Sequence, residues 1–313
     1  MHVVSFLPTV YNVPNDRHKV SLLLAAVLWG SCFIFQKKGM DYIGPFTLGT
    51  FRFILGSLVL LPVIMILSKK KHIIKPTITH GENAILFRGG VLCGIFLFVA
   101  ASLQQVGLVY TTSGKAAFLT SMEIVVVELI ASFVTKKLHS KTLTGVAIAV
   151  VGMYLLCIDK GFSLQFGDGL ELIGAIFWGA QILSIDKYAK QTDVMKLSFL
   201  QFIVAGCLSA VCMIIVERPN CVAIHESIIP ILYTGIIEVA LCYTLQIFGQ
   251  KHVPPVIAAV LLSLESVFAA IFGALFLKEA LTGKEIIGMI LILLSVLVIQ
   301  FPGIRFIKNK PVE

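Results

Sequence analysis

Two Ser-x-Glu triplets lie inside apolar segments of this chain. Ser121 and Glu123 belong to "FLTSMEIVVVEL", and Ser263 and Glu265 belong to "LLSLESVFAAIF" further along. An ionised side chain at the centre of a bilayer costs about 3 kcal/mol on insertion scales, so such residues usually face protein or a water-filled cavity. A carboxyl group placed there can take up and release protons or bind a substrate amine. The alternative is a hydrogen bond that ties two helices together.

A polar stripe runs along another apolar segment, at spacings of three and four residues. It consists of Gly235, Glu238, Cys242, Gln246 and Gly249. This spacing places all five on one face of a helix. The stripe predicts a cavity-lining face whose polar members are Glu238 and Gln246. Ordinary hydrogen bonding between helices is the alternative.

Tryptophans and glutamines in other apolar segments extend this set. Trp29 and Trp178 lie well inside their segments, whereas tryptophan is usually enriched at the membrane interface. They predict an aromatic wall for a substrate, with core packing as the alternative. Gln181, one helical turn from Trp178, is placed to share that wall, and Gln104 is the counterpart of Gln246 in an internal repeat described below.

Four further polar residues favour structural roles. Ser121 and Glu128 are seven positions apart, which puts them within about 20° on a helix, on a face of small residues that suits close packing. Ser263 lies on a similar small face. Arg52 lies inside an apolar segment, so we expect it to pair with an intramembrane carboxylate, although extension of its side chain to the membrane surface is the alternative.

The composition identifies the class of protein that carries these residues. The 313-residue chain is 58% hydrophobic and 13% charged, whereas soluble proteins are nearer half apolar and a quarter charged. The apolar residues come in blocks of about 20, the length of a membrane-spanning helix. We predict an all-α integral membrane protein with ten spans at about residues 19–38, 45–67, 84–108, 114–135, 141–158, 169–188, 194–216, 228–250, 254–277 and 283–302.

The distribution of Lys and Arg predicts the orientation. With the N-terminus inside, the cytoplasmic segments hold 17 Lys and Arg and the outer loops hold seven. This excess predicts a multi-pass protein of the cytoplasmic membrane with a cytoplasmic N-terminal segment, 1–18, and a cytoplasmic tail, 303–313. The net charge of +8 then reflects topology, and no nucleic-acid partner is expected. Residues 1–18 do not have the pattern of a cleavable signal peptide.

The chain contains an internal duplication. "AAVLWGSCFIFQKK" matches "GAIFWGAQILSIDK" at a shift of 149 residues, and "AAFLTSMEIV" matches "AAVLLSLESV" at a shift of 142. The halves, 19–158 and 169–302, each hold five predicted spans. Because five is odd, the second half enters the membrane from the opposite side. Inverted repeats of this kind are typical of secondary transporters with a site between the halves.

Several segments, in order along the chain, resemble one family. They are "LWGSCFIFQK", "TFRFILGSLVLL", "TTSGKAAFLTS" and "LSLESVFAAIFGALFLKEALTGKEIIGMILILLSVLVI". Over about residues 20–302 the chain resembles the EamA type of the drug/metabolite transporter superfamily. The resemblance implies two five-helix repeats and transport of small metabolites, amino acids or drugs. Ser266 stands where the family usually has proline, and the family pattern does not include Glu123 or Glu128.

The sequence therefore predicts a secondary active transporter that works by alternating access. Export of amino acids or related metabolites is the first interpretation, and proton coupling is left open. Efflux of cationic drugs and a non-transporting scaffold or receptor are the alternatives. The expected partners are a small-molecule substrate, protons and the lipid bilayer. No enzymatic motif, metal site or cofactor is predicted, and the oligomeric state is open.

Overall fold

Helices account for all regular structure in the part of the chain that the computed structural model describes, residues 16–72, 80–111, 113–136, 140–158, 165–277 and 281–300. The predicted terminal segments 1–18 and 303–313 lie outside these residues, apart from 16–18. The α-helices are Asp16–Met40 (α1), Pro45–His72 (α2), His80–Tyr110 (α3), Ser113–Thr120 (α4), Glu123–Thr135 (α5), Ser140–Cys157 (α6), Phe166–Ala189 (α7), Val194–Val216 (α8), Cys221–Glu226 (α9), Ile228–Tyr233 (α10), Thr244–Gln250 (α11), Pro255–Leu262 (α12), Leu264–Leu277 (α13) and Gly283–Gln300 (α14). A π-helical segment, Thr234–Tyr243, lies between α10 and α11.

Seven stretches among the described residues are long and apolar enough to cross a membrane. A shorter apolar helix covers Thr142–Cys157. The described part of this membrane protein is therefore all-helical, and the ten-span topology stays a prediction. The seven stretches are Asp16–Met40, Pro45–Leu67, Asn83–Tyr110, Phe166–Ala189, Val194–Val216, Ile228–Gln250 and Pro255–Phe272.

Two predicted spans are each broken at equivalent points of the repeat. The sequence predicted continuous helices at 114–135 and 254–277, but α4 and α5 are separated by Ser121 and Met122, and α12 and α13 by Ser263. The Ser263 hydroxyl donates a hydrogen bond to the Val260 carbonyl at 2.9 Å. Such side-chain bonds compete with the helical backbone ladder. In the first half the break comes immediately before Glu123, and in the second half it comes two residues before Glu265.

The breaks place Glu123 and Glu265 in the first turns of α5 and α13. The backbone at Met122 and Ser263 keeps right-handed helical angles, so each span continues as a helix through its turn.

The π-helical segment changes which residues of its span share a face. In a π-helix the backbone bonds join residues five apart, so Glu238 and Tyr243 come to lie near one another on one face. On an ideal α-helix the same two residues would point about 140° apart. The segment therefore adds an aromatic side chain to the polar stripe.

Helix packing follows the internal repeat. α3 packs on α7, and α1 packs on the π-helical segment and α11. α7 packs on α4 and α5, and α1 packs on α12 and α13. α2 packs on α8, and α6 on α14. One apolar core joins α4, α5 and α6 to α12, α13 and α14, and a second joins α2, α3, α8 and the π-helical segment. α1 and α7 contribute to both cores and so connect them.

The crossing of α6 and α14 depends on two glycines. A Cβ on Gly288 would lie 2.6 Å from the Gly152 carbonyl oxygen and 2.6 Å from the Leu156 backbone nitrogen. Small residues allow this close backbone approach in membranes. We expect Gly288→Ala to lower the free energy of unfolding by about 1–3 kcal/mol, because the added methyl forces the backbones apart.

Thermal unfolding of the purified protein in detergent measures this effect. Gly283→Ala on the same helix is the matched control, because a Cβ there meets nothing within 4 Å. An unchanged melting temperature for Gly288→Ala, equal to that of Gly283→Ala, would contradict the packing described.

Candidate functional site

A cavity lies between the two halves of the chain. The space inside it that atoms do not fill is about 490 Å³, and this figure includes the open space at its mouth. Both halves contribute to its wall, which includes residues on either side of the breaks in the α4–α5 and α12–α13 spans. The lining residues are Trp29, Phe33, Gln36, Gln104, Thr120, Glu123, Trp178, Glu238, Tyr243, Gln246, Leu262 and Glu265.

Three carboxylates line the cavity. Glu123 and Glu265 are partly exposed to it, whereas Glu238 is buried, with 2% of its surface exposed. Within the described residues neither Glu123 nor Glu265 has an ion-pair partner. Glu123 and Glu265 occupy equivalent positions in the internal repeat, so the two repeats present the same carboxylate to one space.

Glu238 has a cationic partner behind the cavity wall. The Arg52 Nη1 atom donates to Glu238 Oε1 at 2.7 Å, and the two side chains are 1% and 3% exposed. Arg52 thus pairs with an intramembrane carboxylate instead of reaching the membrane surface. The pair joins α2 of the first half to the π-helical segment of the second half.

An aromatic group forms one wall. The Tyr243 ring lies 4.9 Å from the Trp29 ring, edge to face, and 6.3 Å from the Trp178 ring, with which it is stacked. The two tryptophans occupy equivalent positions in the repeat, on α1 and α7. Their faces, with that of Tyr243, are suited to attract a cation.

Two glutamines of the predicted set line the cavity, and a third contacts one of them. Gln104 Nε2 donates to Thr120 Oγ1 at 3.4 Å, and Gln246 Nε2 donates to Gln181 Oε1 at 3.4 Å. Gln181 is fully buried and contacts the cavity residue Gln246 without lining the cavity itself. The structure therefore brings all eight predicted pathway residues to the cavity or to its immediate support.

A family comparison matches both halves of the chain. The EamA-like transporter family model covers residues 19–158 and 165–301. The chain belongs to this family. A protein of Archaeoglobus fulgidus named as an uncharacterized transporter is 33% identical to this EamA-like transporter over 283 residues, which is 90% of this chain and 85% of the relative. The YoaV transporter of Bacillus subtilis is 22% identical, over 87% of this chain and 93% of its own.

A plant protein and a solved structure are also similar to this chain. A WAT1-related protein of Arabidopsis thaliana is 24% identical to this EamA-like transporter, over 85% of this chain and 81% of its own. A solved crystal structure superposes with a TM-score of 0.73 at 17% identity, covering 91% of this chain and 97% of that one. At this identity the superposition shows the fold alone.

Sequence reasoning missed five lining residues of this EamA-like transporter: Phe33, Gln36, Thr120, Tyr243 and Leu262. Phe33 and Gln36 follow Trp29 at helical spacings of four and seven, so extension of that face along α1 would have found them. Tyr243 reaches the cavity through the π-helical register, which the spacing of polar residues does not reveal.

None of the four residues predicted to be structural, Arg52, Ser121, Glu128 and Ser263, lines the cavity. Glu128 is 5% exposed and accepts a hydrogen bond from Ser132, four residues later on α5, at 3.0 Å. The Ser121 hydroxyl lies 3.5 Å from that of Ser266, which connects the two broken spans.

Among the described residues no three His, Cys, Asp or Glu side chains form a group that could hold a metal ion.

Proposed function

We propose that this EamA-like transporter exports amino acids or related small metabolites across the cytoplasmic membrane by alternating access, with proton coupling. The observation that carries this proposal is the cavity between the two repeats, which Glu123 and Glu265 both line. The proposal includes ten spans in two inverted repeats, 19–158 and 169–302, and cytoplasmic termini. Rocking of one repeat against the other would expose the cavity to each side in turn.

The cavity chemistry favours a substrate that carries an amine. Carboxylates attract an ammonium group, and the aromatic wall adds cation–π attraction. Within the described residues, Glu238 Oε2 and Gln246 Oε1 are buried acceptors without a hydrogen-bond partner, and Trp178 Nε1 is a donor without one. Buried polar atoms of this kind normally have partners. An amino acid would supply N–H donors to the two oxygens and a carboxylate to the indole N–H.

Proton coupling is supported by Glu123 and Glu265, which have no ion pair among the described residues. When Glu123 or Glu265 binds a proton, the carboxylate loses its negative charge. Its attraction for an ammonium group is then weaker. Substrate and proton then compete for one site, which is the requirement for exchange of one for the other. The charge of Glu238 is already balanced by Arg52, so Glu123 and Glu265 are the coupling residues in this proposal.

Efflux of cationic compounds is the second candidate. It is favoured because the one described cationic side chain next to the cavity, Arg52, is already paired with Glu238. A substrate without a carboxylate needs no cationic residue in the cavity. The two candidates differ in whether the substrate must carry a negative group.

Purified protein in sealed proteoliposomes distinguishes the candidates. We expect a pH gradient to drive accumulation of one or more labelled amino acids, and quaternary ammonium compounds to compete weakly. Strong transport of quaternary ammonium compounds with no transport of amino acids would favour the second candidate. Transport that does not depend on the pH gradient would contradict proton coupling. Vesicles that transport neither amino acids nor quaternary ammonium compounds would contradict the substrate assignment.

A further inference from the structure

Glu171 is a buried carboxylate outside the cavity. It lies in the second turn of α7 and is 1% exposed. Its Oε2 atom accepts a hydrogen bond from Thr120 Oγ1 at 2.7 Å, whereas its Oε1 atom is buried and has no partner within the described residues. Neither the family resemblance nor the polar stripes of the sequence single it out.

One side of Glu171 is connected to the cavity. Thr120 lines the cavity at the end of α4, immediately before the break that precedes Glu123. Gln104, another lining residue, donates to the same Thr120 hydroxyl at 3.4 Å. A continuous set of polar groups therefore runs from the cavity wall to the Glu171 carboxyl.

On its other side, Glu171 lies less than two helical turns from the N-terminal end of α7. Asp168 lies three residues earlier on α7, and its Oδ1 atom accepts from the Thr111 hydroxyl at 2.5 Å. Its Oδ2 atom accepts from the Gln165 backbone N–H at 2.7 Å. Thr111 follows the end of α3, and Gln165 precedes α7. The charge distribution of the sequence assigns this end to the outside.

The neighbouring helix leaves room for the Glu171 carboxyl. A Cβ on Gly107 of α3 would lie 2.6 Å from Glu171 Oε1, so a larger residue at that position would displace the carboxyl. Two described titratable groups lie on the side of α7 that faces α3. They are Asp168, on α7 itself, and Tyr110 of α3, whose Cβ atom packs against Gly167. α4 contributes Thr120, which does not titrate.

We propose, as an extension of the proposed function, that Glu171 is a proton-binding residue through which protons pass between the outer water and the cavity. A hydronium ion of the outer water loses one O–H bond, and the released proton forms the O–H bond of a Glu171 carboxyl oxygen. When that bond breaks, the proton passes to the Thr120 hydroxyl oxygen, which releases its own proton, and a new O–H bond forms on a cavity carboxylate. Each O–H bond that breaks is matched by one that forms, and burial with no cation among the described neighbours favours the neutral carboxyl.

Glu171→Gln tests this role, because glutamine keeps the shape and the acceptor for Thr120 but cannot release a proton. We expect uptake driven by a pH gradient to fall about fivefold. Exchange of labelled for unlabelled substrate at equal pH should be unchanged, because exchange needs no net proton movement. Glu171→Asp keeps a titratable group and should recover part of the gradient-driven uptake.

Glu128→Gln is the matched control. Glu128 is also a buried glutamate of a predicted span, but it accepts its hydrogen bond from Ser132 on its own helix. We expect neither the gradient-driven uptake nor the exchange of this variant to change. If Glu171→Gln lost both activities while remaining folded, or lost neither, Glu171 would not be a proton-transfer residue.

Infrared titration of the purified protein provides a readout that needs no substrate. We expect the protonated-carboxyl band that appears on acidification to lose intensity in Glu171→Gln, relative to Glu128→Gln. An unchanged band would overturn the assignment of Glu171. If Glu171→Gln loses band intensity but wild-type vesicles transport no tested substrate, Glu171 is still a proton-binding residue. In that case the proposed substrate is wrong.

Discussion

Glu265→Gln is expected to reduce substrate uptake driven by a pH gradient by about 100-fold, near the upper end of typical coupling between two ligands. Glutamine fills the same space in the first turn of α13 and can still accept a hydrogen bond. It carries no charge to attract an ammonium group and has no proton to exchange. Proteoliposomes loaded at one pH and diluted into another measure the effect directly.

The internal repeat extends this prediction to Glu123. This residue occupies the equivalent first turn of α5 and lines the same cavity, so Glu123→Gln should also lower gradient-driven uptake, by at least about fivefold. Glu128→Gln again serves as the control on the same helix. Normal gradient-driven transport by Glu265→Gln would show that Glu265 is not a coupling residue. Normal transport by both variants would contradict a coupling site shared by Glu123 and Glu265.

Much of the cavity could be predicted from the sequence because intramembrane polarity is costly. A glutamate or glutamine in the middle of an apolar segment needs a partner or a cavity, and this pointed to Glu123, Glu265, Gln104 and Gln246. The internal duplication then related Glu123 to Glu265. These arguments use local composition and alignment, which the sequence contains in full.

Other parts of the site depend on tertiary structure. The interruptions of α4–α5 and α12–α13 come at serines, and serine also occurs inside continuous helices, so their positions could not be predicted. The π-helical register that brings Tyr243 near Glu238 has no distinctive residue pattern. Glu171 lies near the start of its span, where a carboxylate usually meets water, and only the approach of Thr120 and Gly107 makes it a buried site.

The partner of Arg52 depends on both the sequence pattern and the helix packing. The sequence predicted an intramembrane carboxylate as its partner, and the packing of α2 on the π-helical segment selects Glu238. We expect Arg52→Met to destabilise the protein by about 3–5 kcal/mol, because Glu238 is left buried and uncompensated. Thermal unfolding in detergent measures the loss. The matched control is Lys190→Met, whose pair with Asp186 has the same 2.7 Å separation but a 46% exposed lysine side chain, and it should cost at most about 1 kcal/mol.

A double variant separates stability from function. In Arg52→Met combined with Glu238→Leu, both charges are gone, and replacement of a buried ion pair by apolar residues is often neutral or stabilising. We expect the melting temperature to return close to that of the wild type. Substrate transport should stay low, because the Glu238→Leu change removes a polar group from the cavity wall and the polar link between the first and second halves. If Arg52→Met cost no more stability than Lys190→Met, the buried pair would not be the contact that holds α2 to the π-helical segment.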